Sequence, residues 1–523
     1  MKKTGIYYSL TGLAVFLAIL IFVNLIASYI FVRHDFSSGK IYSISKSSKK
    51  IVRELPDLLI IKAFFSKELS GEYAINKAYL NDLLAEYKTY SRGKIKYTFI
   101  DPAEKKETLA EAQQLGIMPV RFQQIARDKY EIKEGYMGIA FIFGDKKEII
   151  PIVKSSEGLE YDITSKIKKL ISNQIKTVGL VSGHGEETEM GELSEYLKSQ
   201  YNVKIIDTSK EKEIPEDVTS LVITGPKNKF AEKEVFMLDQ FLLKGKPIAF
   251  MIDQYNINTQ AFWATKMDTG LDGFLQFYGI KFMPGFVLDT QCQKIALRSQ
   301  QGFFVVQNIA EYPLYPMTSD IDKTNQIVKN MDSLAFPFIS PIQIVPKDNL
   351  EIKTIIKSTK DSWFGENMEY LSPYTKFTRG KNDMKGPFNL AAAITPKSTG
   401  GTVFKSYFAG KTDKEMKKIA DKKEYLKESH SIGRIFVISN SAFIREQGIL
   451  FLNIIDWVSQ DEDLISIRTK GASFRPLKKI SDLSRVAFKY ISILFVPVLV
   501  VGYGIFRWNR RRAMKKNIKN IYS

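Results

Sequence analysis

The sequence predicts an α/β protein anchored in a membrane, with two α/β domains in series and one transmembrane helix at each end. Long uncharged apolar runs stand near both termini. Between them, short apolar segments stopped by glycine alternate with amphipathic helical stretches, and the strand-like segments of the second half are apolar almost throughout. The first pattern is that of membrane spans, the second that of α/β units, and the third that of a parallel sheet covered on both faces.

The first run, Ile6 to Val32, holds about 27 residues without a charge, more than the roughly 20 that a helix needs to cross a bilayer. Lys2 and Lys3 precede it as in a signal peptide. The run is too long for that role and no clear A-x-A site follows, so an uncleaved helix is expected within residues 1–35. The second run, Tyr490 to Phe506, is about 17 residues long and contains Pro497 and Gly502, both tolerated in membrane helices. With Lys489 snorkelling, it becomes a span over 486–508. The tail 509–523 begins Asn509-Arg510-Arg511-Arg512, and such a block belongs in the cytoplasm. Lys2 and Lys3 place the other end there too. The expected location is therefore the inner (cytoplasmic) membrane, with membrane lipid as a partner, both termini cytoplasmic and the central domains outside.

The chain has 523 residues and a formal net charge of +19, a balance that raises nucleic acid or an anionic membrane surface as partners. The lysines are scattered and often stand beside acids, as in KEKEIPED (210–217). That reads as a solvated face, and no nucleic-acid partner is expected. The single cysteine, Cys292, excludes an internal disulfide framework and any CxxC zinc or redox pair.

After a polar stalk, residues 36–155 read as one α/β domain. Strands are expected at 58–65 and 95–100, with a helix at 75–90 whose buried face carries Ile75, Tyr79, Leu83, Leu84 and Tyr87. A helix near 104–115 and a strand at 120–126 follow. A hairpin then pairs 138–143 with 148–153 across Gly144-Asp145-Lys146-Lys147. This order is thioredoxin-like in outline, without the cysteines that thiol chemistry needs.

The second domain, 156–470, is built around KTVGLVSGHGEETE (176–189). It reads as a buried strand, a turn Ser182-Gly183-His184-Gly185, and a helix beginning at Glu186, Glu187 and Glu189. Ligands of such folds gather at this end of the strands, which makes Ser182, Gly183, His184, Gly185 and Glu186 the candidate site. The three glutamates argue against a phosphate cradle. His184 has three readings: a ligand or catalytic group, a turn residue whose ring bonds the backbone, or part of a partner surface. No nucleophile stands beside it in sequence, and His34 and His430 lack metal-ligand spacing to it. No metal and no cofactor are expected. Strands at 203–206, 221–224 and 248–252 follow, with a helix carrying Val235, Phe236, Leu238, Phe241 and Leu242. Asp253 ends the last of these strands, placed either to share a cleft with His184 or to cap a turn.

From 254 to 401 the pattern loosens into an irregular insertion with strands near 302–306 and 388–394. Its aromatics, among them Trp263, Phe274, Tyr278, Trp363 and Tyr370, suit either sugar stacking or local core. A strand at 434–440 is expected to rejoin the sheet, followed by a helix at 449–458 and a linker at 471–485.

The blocks VGLVSGHGEE, LVITGPKNKFAEKEVFMLDQFLLKGKPIAFMID, RIFVISNSAFI and FLNIIDWVSQDEDLISIR, with a final span closed by RWNRRR, together resemble the GldG family. These are membrane-anchored, substrate-binding-like auxiliary components of ABC transporters associated with gliding motility. The resemblance implies an ABC permease and an ABC ATPase as partners. It also implies a doubly wound α/β domain of amidotransferase or flavodoxin-like type without amidotransferase chemistry. Cys292, in DTQCQKI, lacks the small-residue elbow of a nucleophile. Lys246-Pro247 departs from the family, which tends to have glycines there. No G-x-x-x-x-G-K-[ST] occurs, so the chain does not itself hydrolyse ATP. The expectation is a non-catalytic auxiliary subunit. Its alternative is an extracytoplasmic receptor for a glycan, lipid or peptide in the cleft above the SGHGE turn, and a hydrolase using His184 would further need a clustered Ser and Asp.

Overall fold

The computed structural model describes residues 43–468 except 70, 127–128, 157, 173–174, 302–303, 330, 398–402, 421–424 and 430–432, with parts of two helical stretches at 12–22 and 489–512. The span expected at 1–35 lies largely, the linker at 471–485 wholly and the span at 486–508 partly outside the described residues. Among the described residues no helix is long and apolar enough to cross a membrane.

Helix α1 (Lys46–Arg53) leads into β1 (Leu59–Phe65), α2 (Glu72–Tyr90), β2 (Ile95–Ile100), α3 (Lys106–Gln114), the hairpin β3 (Val120–Ala126) and β4 (Lys129–Gly135), β5 (Met137–Phe143), β6 (Lys146–Ile150) and α4 (Leu159–Ile171). The first sheet has the order β2-β1-β5-β6. β1 runs parallel to β2 and antiparallel to β5. Alternation in β1 sends Leu59, Ile61, Ala63 and Phe65 into one core, and Phe64 into a smaller one with Ala112 and Ile117.

Several expectations change here. α2 buries Leu80, Leu83, Leu84 and Tyr87, while Ile75 is 66% exposed. The stripe starts instead at the buried Asn76, one position on, whose amide donates to the Lys154 carbonyl. β4, which the sequence reading did not foresee, pairs with β3 instead of either strand joining the sheet. The β5–β6 turn is tighter than expected, with Phe143 opposite Lys146. α4 packs Leu159, Ile163, Ile167 and Leu170 into the first core, although the sequence reading placed this segment in the second domain.

The second sheet begins with β7 (Thr177–Ser182), β8 (Asn202–Asp207), β9 (Val218–Thr224) and β10 (Ile248–Met251), joined by α5 (Glu192–Gln200) and α6 (Glu232–Leu243). A short hairpin of β11 (Tyr255–Asn258) and β12 (Trp263–Lys266) follows, then α7 (Asp272–Phe277), β13 (Ile280–Phe282) and β14 (Gly285–Leu288). The long hairpin of β15 (Cys292–Gln301) and β16 (Phe304–Thr318) absorbs the strand expected near 302–306. Then come β17 (Leu334–Ala335), β18 (Ile342–Ile344), β19 (Leu350–Lys357), β20 (Trp363–Glu366), β21 (Asn389–Pro396), α8 (Asp413–Ala420), β22 (Ile435–Ile438), α9 (Phe443–Glu446), α10 (Gly448–Val458) and α11 (Glu462–Arg468).

The nine-stranded sheet runs β13-β18-β21-β22-β10-β9-β7-β8, with β19 also on β21. β8, β7, β9, β10 and β22 are parallel, and β22 does rejoin the sheet. The fully parallel, doubly wound sheet is a correction, however. β21, β18, β13 and β19 extend it in antiparallel fashion, so the segment expected to be irregular supplies four strands of the same sheet. Nothing in the short apolar runs of 254–401 betrays this, because such runs carry no information about their partners. The strands are apolar on both faces because both are covered. Leu180, Val222, Met251 and Ile438 face α10 and Leu197 of α5, and Val181, Ile223, Phe250 and Val437 face α6 and α7. Each such side chain contributes about 1.5–3 kcal/mol on burial.

A second correction concerns the acidic helix start. Residues 183–191 are irregular and α5 begins only at Glu192, because the carboxylate of Glu186 is turned back onto the turn itself. The two sheets meet through Arg468. Its guanidinium lies 4.4 Å from the Tyr161 ring centre and 2.8 Å from Asp456 Oδ2, and donates to Asn453 and Tyr161. Burial opposes charge on Arg468, but Asp456 together with Tyr161, Tyr196 and Tyr201 outweighs it and the pKa is raised. Burial also raises the Asp456 carboxyl, yet the ionised pair is the form that this geometry satisfies.

Candidate functional site

β7 ends at Ser182, whose carbonyl accepts the Thr208 N–H at 3.1 Å. Gly183 then adopts φ 112° and Gly185 φ 85°, both in the region that favours glycine. A Cβ on Gly183 would stand 2.7 Å from Asp207 Oδ1, so the turn excludes a side chain on steric grounds as well.

Between these glycines His184 points inward and is only 4% exposed. Its ring stacks on Phe230, with centroids 3.7 Å apart and planes 18° apart. Nδ1 lies 3.2 Å from Glu186 Oε1 and Nε2 3.2 Å from Glu234 Oε2. Of the three readings of His184, the backbone-bonded ring is corrected: its partners are two carboxylates. Glu186 Oε2 also accepts the His184 N–H at 2.7 Å, and Glu234 Oε2 accepts the N–H of Ala231 at the start of α6. An ionised carboxylate only accepts, so a ring nitrogen that carries a proton donates to the glutamate beside it.

The main chain of the turn is committed as well. The His184 carbonyl accepts the N–H groups of Lys227 and Asn228 at 2.8 and 2.9 Å, and Glu187 exchanges bonds with Thr224. Asp253 stands at the same carboxyl edge, at the end of β10, but bonds the backbone N–H of Ser441 at 2.8 Å and its hydroxyl. Burial raises the Asp253 pKa, against the pull of those Ser441 bonds and of Lys227. Asp253 thus clamps the chain between β22 and α9, while His184 is held by its two glutamates.

The sequence reading missed Phe230 and Glu234. Glu234 stands three residues after the helix-capping position and Phe230 immediately before it, the acidic and apolar positions of a helix start. That signal identifies a cap but not the histidine it also receives. Among the described residues no cluster of three His, Cys, Asp or Glu could hold a metal. Cys292 lies on β15, half-buried, and burial raises its thiol pKa, the opposite of nucleophile activation. In the 254–401 segment Phe274, Tyr278 and Trp363 are buried core, whereas Trp263 and Tyr370 are exposed, their rings 6.4 Å apart.

The arrangement therefore holds a corner of the sheet and offers no nucleophile to His184. A family model described as "ABC-type uncharacterized transport system", an auxiliary component, matches residues 175–461. The chain belongs to this family. The match covers the nine-stranded sheet domain and the whole His184 corner, and the auxiliary role it carries is non-enzymatic. A second model, of a domain of unknown function, matches residues 38–142. An uncharacterized protein of Borreliella burgdorferi is 25% identical over 507 residues, covering 94% of this chain and 96% of its own. Among solved structures, the mmIFT52 N-terminal domain covers 54% of this chain and 97% of its own at 14% identity and a TM-score of 0.32. An exo-β-1,4-mannosidase from an Opitutaceae bacterium covers 77% of this chain and 50% of its own at 8% identity and a TM-score of 0.23. Likeness at those scores carries no weight for this auxiliary protein.

Proposed function

We propose that this ABC-system auxiliary protein is a non-catalytic subunit of the GldG, gliding-motility type. In this reading the apolar segments at 6–32 and 490–506 anchor it in the cytoplasmic membrane, and its two sheets stand on the outer side above a permease served by a separate ATPase. The observation that carries the reading is the family match over 175–461. The sequence adds support by its lack of a phosphate-binding loop. A thioredoxin-like first domain suits the β2-β1-β5-β6 order with α4 closing it, used as a scaffold without thiol chemistry. Two spans would carry the permease's movements to the outer domains through the Arg468 junction.

Purification of the full-length chain from its own membranes in mild detergent, with mass spectrometry of what accompanies it, tests this. A permease and an ATPase in fixed ratio are expected, and recovery of neither overturns the proposal. Protease added to intact spheroplasts is expected to cleave within 43–468; complete protection sinks the topology.

A further inference from the structure

A concave basin of about 990 Å³ lies along the outer face of α6. Its floor is apolar, formed by Phe236, Met237 and Phe241 of α6 with Ile214, Ile419 and Leu426. Residues 233, 236, 237, 240, 241 and 244 recur at helical spacing, so a single stripe of α6 runs the length of the basin, about 16 Å. Gln240 closes one wall by exchanging hydrogen bonds with the Leu426 backbone at 3.0 and 2.8 Å.

Seven lysines and two glutamates line this floor. Lys210, Lys244 and Lys246 are committed to Asp207 and Glu216. Among the described residues Lys212, Lys233, Lys417 and Lys418 form no ion pair, and seven lysines against Glu211 and Glu213 leave the lining with an excess of positive charge. Lys233 also occupies the first turn of α6, the end at which the helix dipole disfavours a cation. Helix electrostatics thus leave it unexplained. The KEKEIPED stretch, a solvated face in the sequence reading, forms one lip of the basin, and the unusual Lys246 another.

We propose that this basin binds a single-chain anionic amphiphile of the fatty-acid class, its acyl chain along Phe236, Met237 and Phe241 and its carboxylate among Lys212, Lys233, Lys417 and Lys418. The volume lies within the roughly 300–1,000 Å³ of small-molecule sites, and an apolar floor inside a rim where lysines outnumber glutamates fits a ligand with one chain and one anionic head. An acidic amphipathic helix is the rival occupant, which would lay its apolar face on the same α6 stripe, and the test below separates the two. The proposal rests on the basin alone and stands whether or not a permease is the partner.

The test uses the full-length chain in phosphatidylcholine nanodiscs, irradiated with a diazirine-bearing dodecanoate and mapped by peptide mass spectrometry. Saturable labelling of peptides spanning 233–244 and 417–426 is expected. Unlabelled dodecanoate should displace it and dodecanol should not. The triple variant Lys233→Glu, Lys417→Glu, Lys418→Glu should lose at least five-fold of the labelling. Met237→Trp, which fills the floor and keeps every lysine, should lose as much. Labelling confined to the apolar end segments, basin labelling indifferent to both variants, or displacement by dodecanol equal to that by dodecanoate would each overturn the proposal. So would protection by an acidic amphipathic peptide where dodecanoate gives none.

Discussion

The corner around His184 and the basin along α6 share a helix and use polar side chains in opposite ways. At the corner, Glu234 of α6 is 4% exposed and its carboxylate serves both His184 and the cap of its own helix. In the basin, Lys233, the neighbouring residue, is exposed and forms no ion pair among the described residues. Reciprocated polar groups inside a protein hold structure, and their removal strands a partner in a medium of low dielectric. Uncompensated charges over an apolar floor contribute little to folding and leave binding capacity free. The difference teaches that the most motif-like stretch of this chain is a fastening, while the apparently plain KEK surface is the better place for a ligand.

The largest expected effect tests the fastening. His184→Ala removes the ring bonds to the Glu186 and Glu234 carboxylates and the stack on Phe230, and losing such a buried, hydrogen-bonded ring costs about 2–4 kcal/mol. Chemical unfolding of the full chain should show the loss, and an unchanged midpoint would mean the corner is not held as described. Gly183→Ala should cost less, about 1–3 kcal/mol, from strain at positive φ together with the close approach of Asp207.

At the domain junction, burial pushes the Asp162 carboxyl up to about 6 while the Tyr196 hydroxyl pulls it down. A carboxyl raised above its unfolded value binds more protons folded than unfolded between about pH 4 and 6, so its contribution to stability falls as pH rises through that window. Asp162→Asn should flatten this part of the profile and stabilise the chain above pH 6 by about 1–2 kcal/mol, allowing for partial exposure. A difference between variant and parent that is constant with pH would refute the assignment. The smallest effect is expected at the basin, where Lys233→Glu should change stability by no more than about 0.5 kcal/mol. A cost as large as that at His184 would erase the contrast between the two regions.

The parallel half of the large sheet was legible. Val178 to Val181, Leu221 to Ile223, Ile248 to Ile252 and Ile435 to Ile438 are short apolar runs bounded by turn residues and helices, and local pattern suffices for them. The turn at 182–185 was legible as a corner because glycine is the residue that reaches such φ values. The helix start was misjudged for a local reason: Glu186 bonds the N–H two residues before it and keeps the chain from entering a helix until Glu192. Ile75 was misjudged because the choice between it and Asn76 as the buried position depends on a carbonyl 78 residues away.

The amino-acid sequence by itself determined the parallel strands and most of the helices between them, which glycines turn the chain at 182–185, and that a surplus of lysine stands between two apolar ends. Period, propensity and charge are properties of neighbouring residues, and neighbours are what a sequence records. Only the tertiary structure decided that β21, β18, β13 and β19 continue the sheet that β7 begins, that α4 belongs to the first core, that His184 meets Glu234 fifty positions away, and that Lys212, Lys233, Lys417 and Lys418 surround one floor. Those are long-range pairings, fixed by mutual burial and by hydrogen bonds reciprocated across the fold, and no single segment carries them alone.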